Sequence, residues 1–542
     1  MFAPFSRTFT LLTLLLSLLL LLLAISLVNG SGLFSLFNTD ALFFQSFYRD
    51  LFMEGGSLRG WNVNTAFSLV PGLLLYFAVL LIKYDVALGV VLHGMAQYAL
   101  FFWGVVWFYR QYRWKHDVPA MLTGMLLVCL LFFDAISSGD FYLVSVLMHP
   151  YHFGAFAMMF FVAGFNMRWL QRPSAADATW IIMLGALLTF SNRMHLTVFA
   201  GPWIITMALF AWRGKLSTRL ALQNIGLNAA SVALGFLLYF LVGRLGIITF
   251  AKGRPYLFEN ILPAFAAMFR EYAALFSGSW AMQLLIGLAL LITIATLAHS
   301  LRWLIRPPKN GNVFLFEDLW LMFSAGFFVT VFFAPAFTGL FTGYDAIRYN
   351  MFVLMLPLVN LGIFAGRYLP ATKLRFRLTT LAFVLLFLAF AGAGLDGAMR
   401  ERPKERLRQV LAYTPAKARC LDELSKSHHL KNGIGIYWDA RPISLFSKKN
   451  IRVMQVHHDL SLYELGTTPA WYYPLKEGQP QPVFNFIVHS PDIDLSFLDQ
   501  HFHGRVDTLK LQHCTVYLVS DFTFGEDRQI RGLPSVSLPD GS

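Results

Sequence analysis

Runs of about twenty apolar residues recur between Leu11 and Leu395, and each is long enough to cross the hydrocarbon core of a bilayer. Only 13% of the 542 residues are charged and 57% are hydrophobic, whereas a soluble domain carries about 25% charged residues. The chain therefore reads as an α-helical polytopic membrane protein. Helices are expected over 8–29, 66–83, 86–109, 118–134, 141–168, 178–192, 195–212, 222–250, 280–304, 319–339, 349–369 and 378–398. No internal repeat interrupts this pattern.

The net charge of +13 is distributed as a topology signal. Much of the excess sits in short segments between apolar runs: Arg168 and Arg172, Arg213 to Arg219, Arg302 to Lys309, and Lys373 to Arg377. Clustered Lys and Arg mark cytoplasmic loops, so the charge is assigned to orientation, and no nucleic-acid partner is inferred. Leu11 to Val28 exceeds the 7–15 residues of a signal-peptide core and reads as a retained first helix. Working back from the C-terminus, these loops place the C-terminal part, Ser191 to His195, Ala251 to Ser279 and Thr338 to Tyr349 outside; working forward from Arg7 and a cytoplasmic start, Phe37 to Pro71 lies outside too. Twelve crossings conflict with a cytoplasmic start and an external end, so eleven or thirteen are expected, with the fault between Lys83 and Arg168.

Composition changes after the charged stretch Glu401 to Gln409. A membrane unit over 1–400, with an external first loop at 31–66, gives way to an extracytoplasmic α/β domain over 401–542. Short strands are expected at Gly433 to Trp438, Ile451 to Val456, Phe484 to His489 and Cys514 to Val519, where β-branched and aromatic residues cluster. Cys420 and Cys514 form a disulfide if the fold brings their Cα atoms close enough. Two separate buried thiols are the alternative.

Asp40 is the first candidate for chemistry. It stands at the start of the aromatic stretch FFQSFYRDLF, expected to lie along the membrane and hold the carboxylate over a cavity. Ionisable groups at a membrane edge are costly and mark function by default, and a desolvated carboxylate gains basicity. Capping of the helix from Ala41 to Phe52 is the competing role. GYDAIRYN, Gly343 to Asn350, supplies Arg348 as a phosphate clamp, with Tyr344 and Tyr349 against a lipid or sugar. Alternatively Arg348 pairs with Asp345 in an interfacial aromatic belt. Lys252 and Arg254 lie outside against the topological rule, as anion ligands or snorkelling chains. His149 and His152 in HPYH and Arg193 and His195 in SNRMH read as polar cavity lining more readily than as metal ligands, and Asp140, the nearest carboxylate, as a metal ligand, a second active-site acid or part of that lining. YWDAR, Tyr437 to Arg441, either touches an acceptor or ends a strand with an Asp–Arg pair. The latter is favoured.

The layout resembles the C-type (GT-C) superfamily of membrane glycosyltransferases. NTD at 38–40 followed by the aromatic helix and a later GW…P is similar to their first external loop. GYDAIRYNMFVLMLP is similar to their late R-Y…P segment. The resemblance implies transfer of a sugar from a polyprenyl-phosphate carrier to an extracytoplasmic acceptor at the periplasmic face of a bacterial inner membrane. Asp40 would be the base, while Arg348, with Lys252 or Arg254, would hold the carrier phosphate. Many relatives carry a paired Asp-Glu where this chain has Asp40 and Ala41, so a divalent metal stays open as a cofactor and none of its ligands is assigned. A transporter of lipid-linked sugars and a non-catalytic envelope assembly protein are the rival functions.

Overall fold

The structure, a computed structural model, describes residues 3–28, 30–111, 118–137, 147–148, 152–251, 257–306, 316–368, 402–474, 480–502, 506–511 and 514–532. The apolar runs are helices. Seven helical segments are long and apolar enough to cross a membrane: Arg7–Ser26, Val86–Gln111, Phe153–Gln171, Thr218–Arg244, Trp280–Ile305, Phe316–Phe337 and Tyr344–Phe364. Four shorter apolar helical segments accompany them, Leu69–Ile82, Met121–Ala135, Ala175–Ser191 and Leu196–Trp212. Eleven of the twelve expected helices thus have counterparts; the twelfth, 378–398, lies outside the described residues. The helix expected over 141–168 runs from Phe153 to Gln171, and Ser68, in a left-handed conformation, precedes the turn that begins at Leu69.

Local chemistry sets several helix starts. Ser174, Ser217 and Ser279 each accept a hydrogen bond from a backbone N–H three residues on, which satisfies a donor the first turn leaves open. Thr218–Arg244 packs along Ala175–Ser191, and Val86–Gln111 along Phe153–Gln171. The second pair approaches closely at Gly164, where an added Cβ would stand 2.1 Å from the Trp107 ring. Outward faces stay apolar: Leu81, Ile82, Leu222, Phe240, Leu291 and Ile294 are all more than 60% exposed. Apolar side chains on that scale suit a hydrocarbon surround.

The first loop is not a linker. Helix α1 (Ala3–Ser26) is followed by α2 (Gly30–Leu36) and α3 (Phe43–Met53). Helix α3 is amphipathic by position, burying Phe43, Phe44 and Phe47 among Trp61, Phe67 and Tyr76 while Phe52 and Met53 stand exposed. Strand β1 (Asn62–Val63) then pairs in parallel with β2 (Thr249–Phe250), tying the loop to a distant connection.

The C-terminal part forms a six-stranded mixed sheet in the order β4-β3-β5-β7-β6, with β8 on β7. Its strands are β3 (Asn432–Ile436), β4 (Arg452–Val456), β5 (Phe484–Val488), β6 (Val506–Leu511), β7 (Cys514–Phe524) and β8 (Ile530–Gly532). The first three are parallel, with β3 central, and the β5–β7 and β7–β6 pairs are antiparallel. Four of these were expected, within two residues at their starts; β6 and β8 were not. Cys420 and Cys514 are disulfide-bonded, with Cα atoms 6.2 Å apart, so the pairing alternative holds.

Candidate functional site

Asp40 lies in a turn between α2 and α3, where Asn38 Oδ1 accepts from Ala41 N at 2.9 Å. The N-cap of α3 is Leu42, without a side-chain cap. Asp40 therefore does not cap this helix, and its carboxylate is turned elsewhere. Arg348 Nη1 reaches Asp40 Oδ2 at 3.5 Å across 308 residues of sequence, while Tyr437 Oη donates to Asp40 Oδ1 at 2.5 Å. Both carboxylate oxygens thus meet donors from different parts of the chain. The ion pair seen for Arg348 among the described residues is with Asp40 rather than with Asp345.

Each partner is positioned by its own element. Arg348 sits in the 3-10 turn Tyr344–Tyr349, anchored by Asn350. Asn350 accepts from Tyr272 Oη at 2.9 Å and donates to the Phe332 carbonyl at 3.2 Å. Tyr437 opens the helix Tyr437–Phe446 directly after β3. Its carbonyl accepts from Thr39 Oγ1 at 2.6 Å. Arg441, one turn further on, donates from Nη1 to the Thr39 carbonyl and from Nη2 to the Gly466 carbonyl, both at 2.7 Å. Gly466 has φ +74°, and a Cβ there would stand 2.6 Å from Arg441 Nη2, so the position requires glycine. YWDAR is therefore a helix start gripping the Asp40 turn. Its internal Asp–Arg pair is not formed, because Asp439 binds Lys417 at 2.5 Å.

On the far side of Arg348, Tyr349 Oη accepts from Arg348 Nη2 at 3.5 Å. The His152 ring lies 5.1 Å from the Tyr349 ring, and Asn192 Nδ2 meets His152 Nδ1 at 3.4 Å. Burial first, and then the neighbouring Arg348 guanidinium, lower the basicity of His152, so the imidazole stands neutral. Asp40, Arg348, Tyr349 and His152 thus form one continuous polar tract. Other sequence candidates lie elsewhere. Arg193 stacks on Tyr239 at 4.3 Å, His195 packs against Phe199 in the bundle, and Tyr344 packs half-buried against the core. Asp140, His149, Lys252 and Arg254 lie outside the described residues. Among the described residues, no cluster of three or more His, Cys, Asp or Glu side chains is arranged to hold a metal.

Two features went unrecognised in the sequence. Tyr437 reads from the sequence as part of a strand end, yet it opens a helix. Asp50, ten residues beyond Asp40, is buried and accepts hydrogen bonds from Trp61 Nε1 at 2.8 Å and Trp471 Nε1 at 2.9 Å. Burial is the largest influence on it and raises its pKa above the ordinary carboxylate value, against the two indole donors. A separate cleft, partly open to solvent, lies between α3 and the Tyr437–Phe446 helix and is lined by Arg441. No protein-family model matches the chain, and no curated protein matches it.

Proposed function

We propose that this chain is a membrane glycosyltransferase of the GT-C type, moving a sugar from a polyprenyl-phosphate carrier to an acceptor outside the cytoplasm. The observation that carries the reading is the meeting of Asp40 and Arg348 across 308 residues. A carboxylate and a planar cation side by side are what an inverting transfer from a phosphate leaving group needs. In the proposed step the acceptor hydroxyl attacks the anomeric carbon and its proton passes to Asp40. The bond from that carbon to the carrier oxygen breaks, and its electron pair leaves on the phosphate, whose charge Arg348 offsets. The carrier phosphate takes over the guanidinium from Asp40 Oδ2. Tyr437 keeps the carboxylate oriented, because an ionised oxygen has lone pairs enough for both the phenol and an incoming hydroxyl.

Seven membrane-length apolar helices favour a multi-pass protein of the bacterial inner membrane, in contact with the bilayer along its apolar faces. The Cys420–Cys514 disulfide favours an oxidising compartment for the C-terminal domain, which we assign to the periplasm. The test is label transfer by the full chain in nanodiscs, with a panel of radiolabelled polyprenyl-phosphate sugars and a crude envelope acceptor. Transfer that disappears in Asp40→Asn while carrier binding persists supports the enzyme and its base together. Transfer unaffected by that change removes the base. Carrier movement across the bilayer without transfer favours a transporter, and no carrier binding at all favours an assembly protein.

A further inference from the structure

The cleft between α3 and the C-terminal domain carries an excess of positive charge that the proposed chemistry at Asp40 does not use. Its wall holds Arg49 from α3, Arg441 from the Tyr437–Phe446 helix and Arg452 from β4, against Glu54 as the one carboxylate. Three guanidiniums facing one carboxylate leave an excess of positive charge in a partly desolvated space, where charge interactions are strengthened. Glu54 Oε1 is shared, receiving Arg49 Nε at 2.6 Å and Arg452 Nη2 at 2.7 Å. Arg441 is 4% exposed, and its Nε has no hydrogen-bond partner. An unpaired buried guanidinium N–H costs free energy that a bound acceptor atom would recover. The nearby Asp50 directs each of its oxygens to an indole N–H, of Trp61 and of Trp471. Trp471 also lines the cleft, offering an aromatic face beside the cations.

We propose that this cleft binds an oxyanion, a phosphate or carboxylate group, carried by the acceptor. The assignment rests on the transferase reading for the word acceptor; the anion site itself does not. Arg441 links the two places, because the same guanidinium that lines the cleft donates to the carbonyl of Thr39, next to Asp40. An acceptor seated by its anion in the cleft would have its hydroxyl side directed toward that turn. The partly exposed Arg49 and Arg452 are the residues a ligand reaches first, and Glu54 is the internal stand-in that an incoming anion displaces.

That displacement gives the test its sign. The full chain in nanodiscs is titrated with inorganic phosphate, with glucuronate as a carboxylate probe and with glucose as a neutral control, following tryptophan fluorescence and calorimetric heat. Phosphate or glucuronate is expected to bind with an affinity that falls as salt rises, and glucose is expected to give no signal. Arg452→Gln should weaken anion binding at least tenfold, whereas Glu54→Gln should strengthen it severalfold. Both variants break the same ion pair, so a purely structural role would move them in the same direction and overturn the proposal. Absence of anion binding to the wild type would overturn it as well. Asp40→Asn is expected to leave the anion affinity unchanged. If labelled sugar is transferred but Arg452→Gln leaves the acceptor KM unaltered, the subsite falls and the transferase stands. If Arg452→Gln instead weakens binding of the polyprenyl-phosphate donor, the anion recognised there is the carrier's, and the assignment to the acceptor is overturned. Anion binding with the predicted signs in a protein that transfers no sugar keeps the site and removes the transferase.

Discussion

Two carboxylates ten residues apart in the first loop are built into opposite environments. Asp50 is 5% exposed, and both its oxygens receive indole N–H groups, one from its own loop and one from Trp471 in the C-terminal domain. Asp40 has a side chain 14% exposed and meets a guanidinium and a phenol. Indoles are donors only and cannot exchange a proton with the carboxylate at ordinary pH. They fit a clasp: Trp61 and Trp471 lie edge to face at 5.3 Å, and a bridge from Asn62 to Thr467 runs beside them. A guanidinium and a phenol at a partly open carboxylate can be displaced by substrate groups of like chemistry. Burial with neutral donors makes a fastening; partial burial with charged and exchangeable partners makes a candidate reaction centre.

Substitution by the amide separates these roles most sharply. Asp40→Asn removes the proton acceptor and is expected to lower turnover by about 10²- to 10⁴-fold, the usual range for a general base, with a melting temperature close to wild type. Equal losses of turnover and stability at Asp40 would make it a second fastening and collapse the distinction. Next in size is the disulfide. Cys420 and Cys514 close a loop of 94 residues, for which chain entropy gives roughly 4–5 kcal/mol. Cys420→Ser is expected to destabilise the C-terminal sheet by about that amount. Because that domain supplies both Tyr437 and Trp471, loss of the sheet should release both carboxylates together, seen as faster hydrogen exchange around Asp40 and Asp50 alike.

Asp50→Asn is expected to cost about 1–3 kcal/mol, since an amide turns a donor toward one of two indoles and leaves buried groups unpaired. Activity should then follow the folded fraction. The same residue carries a pH signature. Its folded pKa lies above the ordinary 3.8, so the folded state binds the proton more tightly than the unfolded chain. Its contribution to stability should therefore rise as pH falls through that raised value. Urea midpoints compared across the acid range in wild type and Asp50→Asn check the slope, which should disappear in the variant.

Legibility in the sequence tracked how local each cause was. The helices were readable because hydropathy is a property of consecutive residues, and starts such as Ser217 and Ser279 agree with a local capping rule. Asp40 and Arg348 were each visible as charged groups at the edge of apolar segments. Their meeting was not, because it depends on how helices far apart in sequence pack. Tyr437 was misassigned for the same reason. β3 ends at Ile436 and a helix begins at once, and only the seating of that helix against Thr39 turns the phenol toward Asp40. The clasp at Asp50 was not legible either, since one of its two indole partners, Trp471, is 421 residues away.

The change confined to a single hydrogen bond is also the one that refines the comparison most. Tyr437→Phe removes one hydrogen bond to a charged oxygen, worth about 1.5–3 kcal/mol, and leaves the ring in its packing against Trp438 and Tyr463. If the phenol orients the Asp40 carboxylate, kcat should fall by about tenfold while carrier affinity stays the same. Arg348→Gln should show the complementary split, a loss in carrier affinity as well as in kcat, because the guanidinium is the group exchanged between Asp40 and phosphate. Should Tyr437→Phe destabilise the protein and leave kcat per folded molecule intact, the phenol would belong with Trp471 as part of the domain clasp. Asp40 would then keep Arg348 as its partner in chemistry.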